Sequence, residues 1–205
     1  MLTYYITDRR QLGGDVSLLL ERIAEATQAG VDYIQLREKD LSTKELEHLT
    51  QAAQLRVVDT STKLLINSRT DIAIATNAHG VHLRSDDIRI PVAREICTQA
   101  GRAGMLIGVS CHTLEEVARA HKDRADYILF APVFGKNGAG AAGLQSLRMA
   151  CALAAVPRSV PVLVLGGVIV ENVADCIANG AAGVAGIRLF QSGSISGTMN
   201  LLHRI

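Results

Sequence analysis

Eight short apolar runs recur along this chain at near-even intervals, and that rhythm restricts its fold more than any other feature. The runs are Tyr4–Ile6, Tyr33–Leu36, Leu64–Ile66, Val81–Leu83, Leu106–Val109, Tyr127–Phe130, Val162–Leu165 and Gly183–Ile187. They are rich in β-branched residues and mostly lack polar/apolar alternation, as strands buried on both faces do. The segments between them carry helical spacing. Leu18, Leu19, Ile23 and Ala24 repeat at three- and four-residue steps before Gly30. Ser42 or Thr43 starts a helix through Val58 with Glu45 in its first turn, and Thr113–Glu116 has the form of a capping box. Strands alternating with helices make βαβ units with right-handed crossovers. Eight such units in 205 residues predict an α/β fold, one closed (β/α)8 TIM barrel spanning 1–205. The rival, an open doubly wound sheet, lacks its G-x-G-x-x-G after the first strand.

Composition narrows the function classes. Apolar residues make up 48% and aromatic residues only 3%, with no Trp, so an aliphatic core is expected. The formal net charge is +1 with no basic tail, which argues against nucleic-acid binding. No apolar run approaches the roughly 20 residues of a membrane helix. Four cysteines without C-x-x-C spacing suit reduced thiols, and a cytoplasmic protein is expected. The sequence leaves monomer and homo-oligomer open.

In a TIM barrel the reacting groups collect at the C-terminal ends of the strands. Polar residues do cluster there. In V-D-Y-I-Q-L-R-E-K-D (31–40), Gln35, Arg37 and Lys39 alternate and so share a face. Two cations side by side suit a bound phosphate or diphosphate, and equally a salt-bridge layer with Glu38 and Asp40. Gly166-Gly167 after the seventh run fits a backbone phosphate cradle, with Arg188 beyond the eighth as a further cation. Any tight βα turn also uses such a glycine pair. Asp86 and Asp87 suit Mg2+ or simply the acidic start of a helix. His112, just before a helix, is a general acid–base candidate or a capping-region histidine. His82 reads as an interior histidine without a visible partner, and the cysteines as packing residues.

Taken together, these pieces resemble the thiamin phosphate synthase family and its close relative, the thiazole tautomerases. The resemblance rests on I-Q-L-R-E-K (34–39), L-L-I-N-S-R-T-D-I-A (64–73), H-G-V-H-L (79–83), I-G-V-S-C-H-T-L-E-E (107–116), D-Y-I-L-F-A-P-V-F (126–134) and V-L-G-G-V (164–168). It runs from Tyr4 to Phe190 and implies the same barrel. It further implies that Gln35, Arg37 and Lys39 hold hydroxymethylpyrimidine diphosphate and that Asn67 contacts the pyrimidine. Asp87 would bind Mg2+, Ser110 would lie near the reacting methylene, and Gly166, Gly167, Ile187 and Arg188 would receive the thiazole phosphate.

The sequence departs from the family pattern in three places. The Asp expected after Asn67 is Ser68, a poorer metal ligand. The loop after the sixth run reads G-K-N-G-A-G, leaving Lys136 as its one cation and no threonine. Arg188 stands at a serine position. The intact Q-L-R-E-K favours the synthase. The alternatives are a tautomerase acting on a carboxythiazole phosphate, with His112 as acid–base, and a catalytically silent thiazole-phosphate binder.

Overall fold

The eight expected strands all form. They are Leu2–Ile6 (β1), Tyr33–Leu36 (β2), Lys63–Asn67 (β3), Gly80–Leu83 (β4), Leu106–Cys111 (β5), Tyr127–Phe130 (β6), Val162–Val164 (β7) and Gly183–Gly186 (β8). In the computed structural model, which describes residues 1–135 and 140–205, they pair parallel in sequence order and β8 returns to β1. The sheet is thus a closed barrel, and no strand is left with an unpaired edge. The helices between strands are Val16–Gln28 (α1), Thr43–Val57 (α2), Thr70–Ala75 (α3), Ile90–Gln99 (α4), Leu114–Lys122 (α5), Gly143–Ala155 (α6) and Val170–Ala178 (α7). Arg188–Gln191 (α8) and Ile195–Leu202 (α9) follow β8, and a short 3-10 turn at Arg9–Leu12 precedes α1. Among the described residues no helix is long and apolar enough to cross a membrane.

Two caps show how local chemistry sets helix positions. Ser42 accepts from the Glu45 N–H while the Glu45 carboxylate returns to the Ser42 N–H, a closed capping box. At α5 the box opens by one residue. Thr113 Oγ1 accepts from the Glu116 N–H at 3.2 Å, but the Glu116 carboxylate takes the His112 N–H instead of that of Thr113. This bond fixes the backbone that carries His112.

The expected aliphatic core is found outside the barrel, where strand residues such as Ile34, Val81 and Ile107 meet the helices. Inside, it is not. Three of the four tyrosines, Tyr4, Tyr33 and Tyr127, fill the interior with Leu65, Leu129 and Leu163. Their ring centroids lie 5.5–5.6 Å apart. Gly108, paired in register with Tyr127, makes this layer possible, since a Cβ there would sit 1.9 Å from Tyr127 Cζ. All four cysteines are free. Burial pushes the Cys111 thiol up to about 12, in keeping with a packing residue and not a nucleophile.

Candidate active site

At the C-terminal mouth of the barrel, a cavity of about 460 Å3 is lined by Gln35, Arg37, Lys39, Asn67, Ser110 and His112, among others. Strand pairing of β2 stops at Leu36, yet the alternation persists beyond it. Glu38 turns the opposite way and is buried, accepting from Thr7 Oγ1 at 2.5 Å and the Arg9 N–H at 3.0 Å. Thr7 Oγ1 in turn accepts from the Arg37 N–H at 3.1 Å. Arg37 is therefore braced from behind. Asp40 pairs with Arg9 at 3.0 Å. The acids beside the two cations are thus engaged elsewhere, and no ion pair joins Arg37 or Lys39 to a described residue, contrary to the salt-bridge reading. The Arg37 charge, partial burial and the charge of Arg84 together lower the Lys39 pKa. An anion in this cavity would relieve that repulsion.

The two residues expected at the metal come together. Ser68 Oγ donates to Asp87 Oδ2 at 2.6 Å, and the Arg84 N–H donates to the same oxygen at 2.7 Å. Asn67 Nδ2 donates to Ser68 Oγ at 3.1 Å. Ser68 has φ +57°, a left-handed conformation that Asp and Asn also tolerate. Asp86 is ion-paired to Arg84, whose side chain lines the cavity as a third cation that the sequence reading left without a role. No cluster of three or more His, Cys, Asp or Glu side chains exists among the described residues. One or two carboxylates still suffice for Mg2+ when phosphate oxygens complete its shell.

Ser110 faces this cavity from β5, and its hydroxyl lies 2.9 Å from His82 Nε2. His82 is not partnerless, as the sequence suggested. Its Nδ1 lies 3.0 Å from the Tyr127 hydroxyl, which lies 3.0 Å from that of Tyr4, which accepts from Gln35 Nε2 at 3.0 Å. Burial, with a further push from Arg37, lowers the His82 pKa to about 3. Burial also raises the Tyr4 and Tyr127 hydroxyl pKa values, so all three groups stay neutral at physiological pH. His112 stands exposed at the rim, its Nδ1 bonded to the Ala131 carbonyl at 2.7 Å. That bond leaves Nε2 as the ring nitrogen available to a ligand.

A second cavity of about 850 Å3 adjoins the first through Leu165 and Ile187, which line both. Gly166, Gly167 and Arg188 line its wall. The glycines have φ +93° and +69°, and a Cβ on either would come within 2.7 Å of Pro132 or Phe134. Their carbonyls accept from the Phe134 N–H and the Asn172 side chain, at 3.1 and 3.0 Å. Neither glycine N–H donates to a described residue. Two successive N–H groups are thus left without a described acceptor. Arg188, the exposed first residue of α8, stands beside them. Lys136 lies outside the described residues.

Comparison with known proteins agrees with this geometry. Residues 3–190 match the family model described as thiamine monophosphate synthase. The thiamine-phosphate synthase of Syntrophomonas wolfei is 35% identical, with 98% of this chain and 94% of that one aligned. That of Methanoculleus marisnigri is 36% identical over 89% of this chain and 83% of its own. The thiamine phosphate pyrophosphorylase structure from Pyrococcus furiosus superposes with a TM-score of 0.84 at 28% identity, covering 99% of this chain and 94% of that one. With a family match over nearly its full length, relatives above one-third identity and the same closed barrel, this chain belongs to the thiamine monophosphate synthase family.

Proposed function

We propose that the two adjoining cavities are the two halves of one coupling site, joining hydroxymethylpyrimidine diphosphate to thiazole phosphate and releasing pyrophosphate. The chain is a thiamine-phosphate synthase, a transferase, as its family and relatives are. One observation carries the assignment of the halves. A cation-rich cavity and a glycine-lined one lie side by side and share Leu165 and Ile187 in their linings. Two anionic substrates bound there would bring their uncharged reacting ends together.

In this reading Gln35, Arg37 and Lys39 hold the pyrimidine diphosphate, with Arg84 alongside, and Asn67 faces the pyrimidine. Gly166, Gly167, Ile187 and Arg188 hold the thiazole phosphate. The methylene C–O bond breaks and its electron pair leaves on pyrophosphate. The thiazole nitrogen lone pair then forms the C–N bond. The electron-rich pyrimidine spreads the developing positive charge, while the cations stabilise the leaving group and the two cavities hold the ends in line. Mg2+, held by Asp87 with Asp86 nearby and the Ser68 hydroxyl in reach, would neutralise further charge on the diphosphate. Lys136, from the loop after β6, would add a cation. The direct test is to incubate the protein with both substrates and Mg2+ and detect thiamine phosphate. Ligand-dependent thermal stabilisation without product would leave only a binding protein.

Ser68→Asp should lower the Mg2+ concentration needed for half-maximal activity severalfold, because a second carboxylate would face Asp87 at a backbone conformation Asp accepts. An unchanged Mg2+ titration, or full activity in EDTA, would remove the metal from this site.

The coupling needs no proton taken from carbon, so His112 has an orienting role. His112→Asn should keep most of the coupling rate and the wild-type pH profile, since the Asn amide can still donate to the Ala131 carbonyl. A tautomerase would lose about 10²–10⁴-fold with its acid–base removed. A thousandfold loss of coupling, in a variant that still binds both substrates, would overturn this role.

A further inference from the structure

The buried polar chain inside the barrel has a direction, set at one end by the Gln35 amide, whose Nε2 faces the Tyr4 hydroxyl. Tyr4 accepts from Gln35 Nε2. If it also accepted from Tyr127, its own proton would have no acceptor at a fully buried site, a costly orphan. Tyr4 therefore donates to Tyr127. The Tyr127 proton then has His82 Nδ1 as its acceptor, at 3.0 Å. A neutral imidazole accepting at Nδ1 carries its proton on Nε2, which faces Ser110 Oγ at 2.9 Å. Ser110 thus receives a hydrogen bond from the barrel interior, and its own O–H is free to turn into the cavity that holds Arg37 and Lys39. The stacked Tyr127 and His82 rings, 19° from parallel, hold the imidazole plane in place.

We propose that Gln35, Tyr4, Tyr127 and His82 form a one-way hydrogen-bond chain that makes Ser110 an obligate donor to the departing diphosphate. The identity of that acceptor rests on the coupling reading given above. Tyr127 and His82 are positioning residues here, acting through Ser110. No proton is transferred. The C–O electron pair moves onto the leaving oxygen, and the Ser110 hydrogen bond strengthens as charge grows there. With the opposite tautomer, Ser110 would donate to His82 and present lone pairs to an anion.

The test starts with the wild-type protein, 15N-labelled at histidine. Imidazole nitrogen shifts at neutral pH should show His82 with a bare Nδ1 and a protonated Nε2. Tyr127→Phe removes the donor to Nδ1. It should release the fixed His82 tautomer, so that the proton is shared between the two ring nitrogens, and lower kcat severalfold or more with little change in either KM, as one charge-assisted bond weakens. An Nδ1-protonated His82 in the wild type would overturn the proposal, as would Tyr127→Phe with an unaltered kcat. Should Tyr127→Phe fail to fold, the wild-type spectrum alone decides. Absence of thiamine phosphate from the wild-type assay would instead sink the coupling reading, leaving the tautomer result standing.

Discussion

Alanine at Arg37 should weaken the pyrimidine diphosphate about 10- to 100-fold and leave the thiazole phosphate within about threefold, and alanine at Lys39 should do the same. A charge-assisted hydrogen bond lost to truncation costs roughly 1.5–3 kcal/mol, and each 1.4 kcal/mol is tenfold. Selectivity follows from geometry, because both side chains line the smaller cavity and neither lines the glycine cavity. Arg37 is expected to show the larger effect, since Thr7 and Glu38 hold its backbone rigid whereas Lys39 is exposed and free to reorient. Calorimetric titration of each variant with each substrate checks this. Equal losses for the two ligands would mean the cations do not define the diphosphate half. Raising the salt concentration should narrow the difference, because part of it is screened Coulomb attraction.

Gly108→Ala should damage the barrel interior through a single added methyl group. Its Cβ would fall 1.9 Å from Tyr127 Cζ and 2.2 Å from Cε2, inside the ring. Tyr127 would have to leave its rotamer in a layer where Tyr4, Tyr33 and His82 occupy the neighbouring space. Overpacking of this kind costs about 1–3 kcal/mol and at times more, and each kcal/mol moves the melting temperature about 2–4 °C in a chain of this size. A fall of roughly 5–10 °C is therefore expected, accompanied by loss of coupling activity because the hydrogen bond to His82 goes with the ring. Gly104→Ala is the matched comparison, since its added Cβ meets nothing within 4 Å, and it should be close to neutral. Equal melting temperatures for the two variants would show that the tyrosine layer is not packed as described.

Much of this protein is written locally. The eight strands were readable because each apolar run is short and bounded by helical spacing, and the observed limits differ from the expected ones by no more than a residue or two. The N-cap of α2 was readable because Ser42 and Glu45 lie within four residues of each other. The shared face of Gln35, Arg37 and Lys39 follows from the two-residue repeat of an extended chain and survives past the end of β2. Such features depend on neighbours in sequence, so periodicity and residue type determine them.

What only the tertiary structure decided depends on residues brought together by barrel closure. Ser68 meets Asp87 across 19 positions, and which carboxylate oxygen they share appears in no spacing rule. Arg84 becomes part of the cation cavity because β4 lies beside β3 and ends at the same mouth. Gly166 and Gly167 need their missing side chains because Pro132 and Phe134 press on them from the loop after β6. The interior chain is the clearest case. Gln35, Tyr4, Tyr127, His82 and Ser110 come from five strands, and each alone looks like an ordinary buried residue. The sequence placed these residues in or just past the apolar runs, and closure of the barrel turned them inward. Their order as donors and acceptors arises only when the closed sheet sets them about 3 Å apart in a buried space, where an unpaired hydroxyl is too costly to leave.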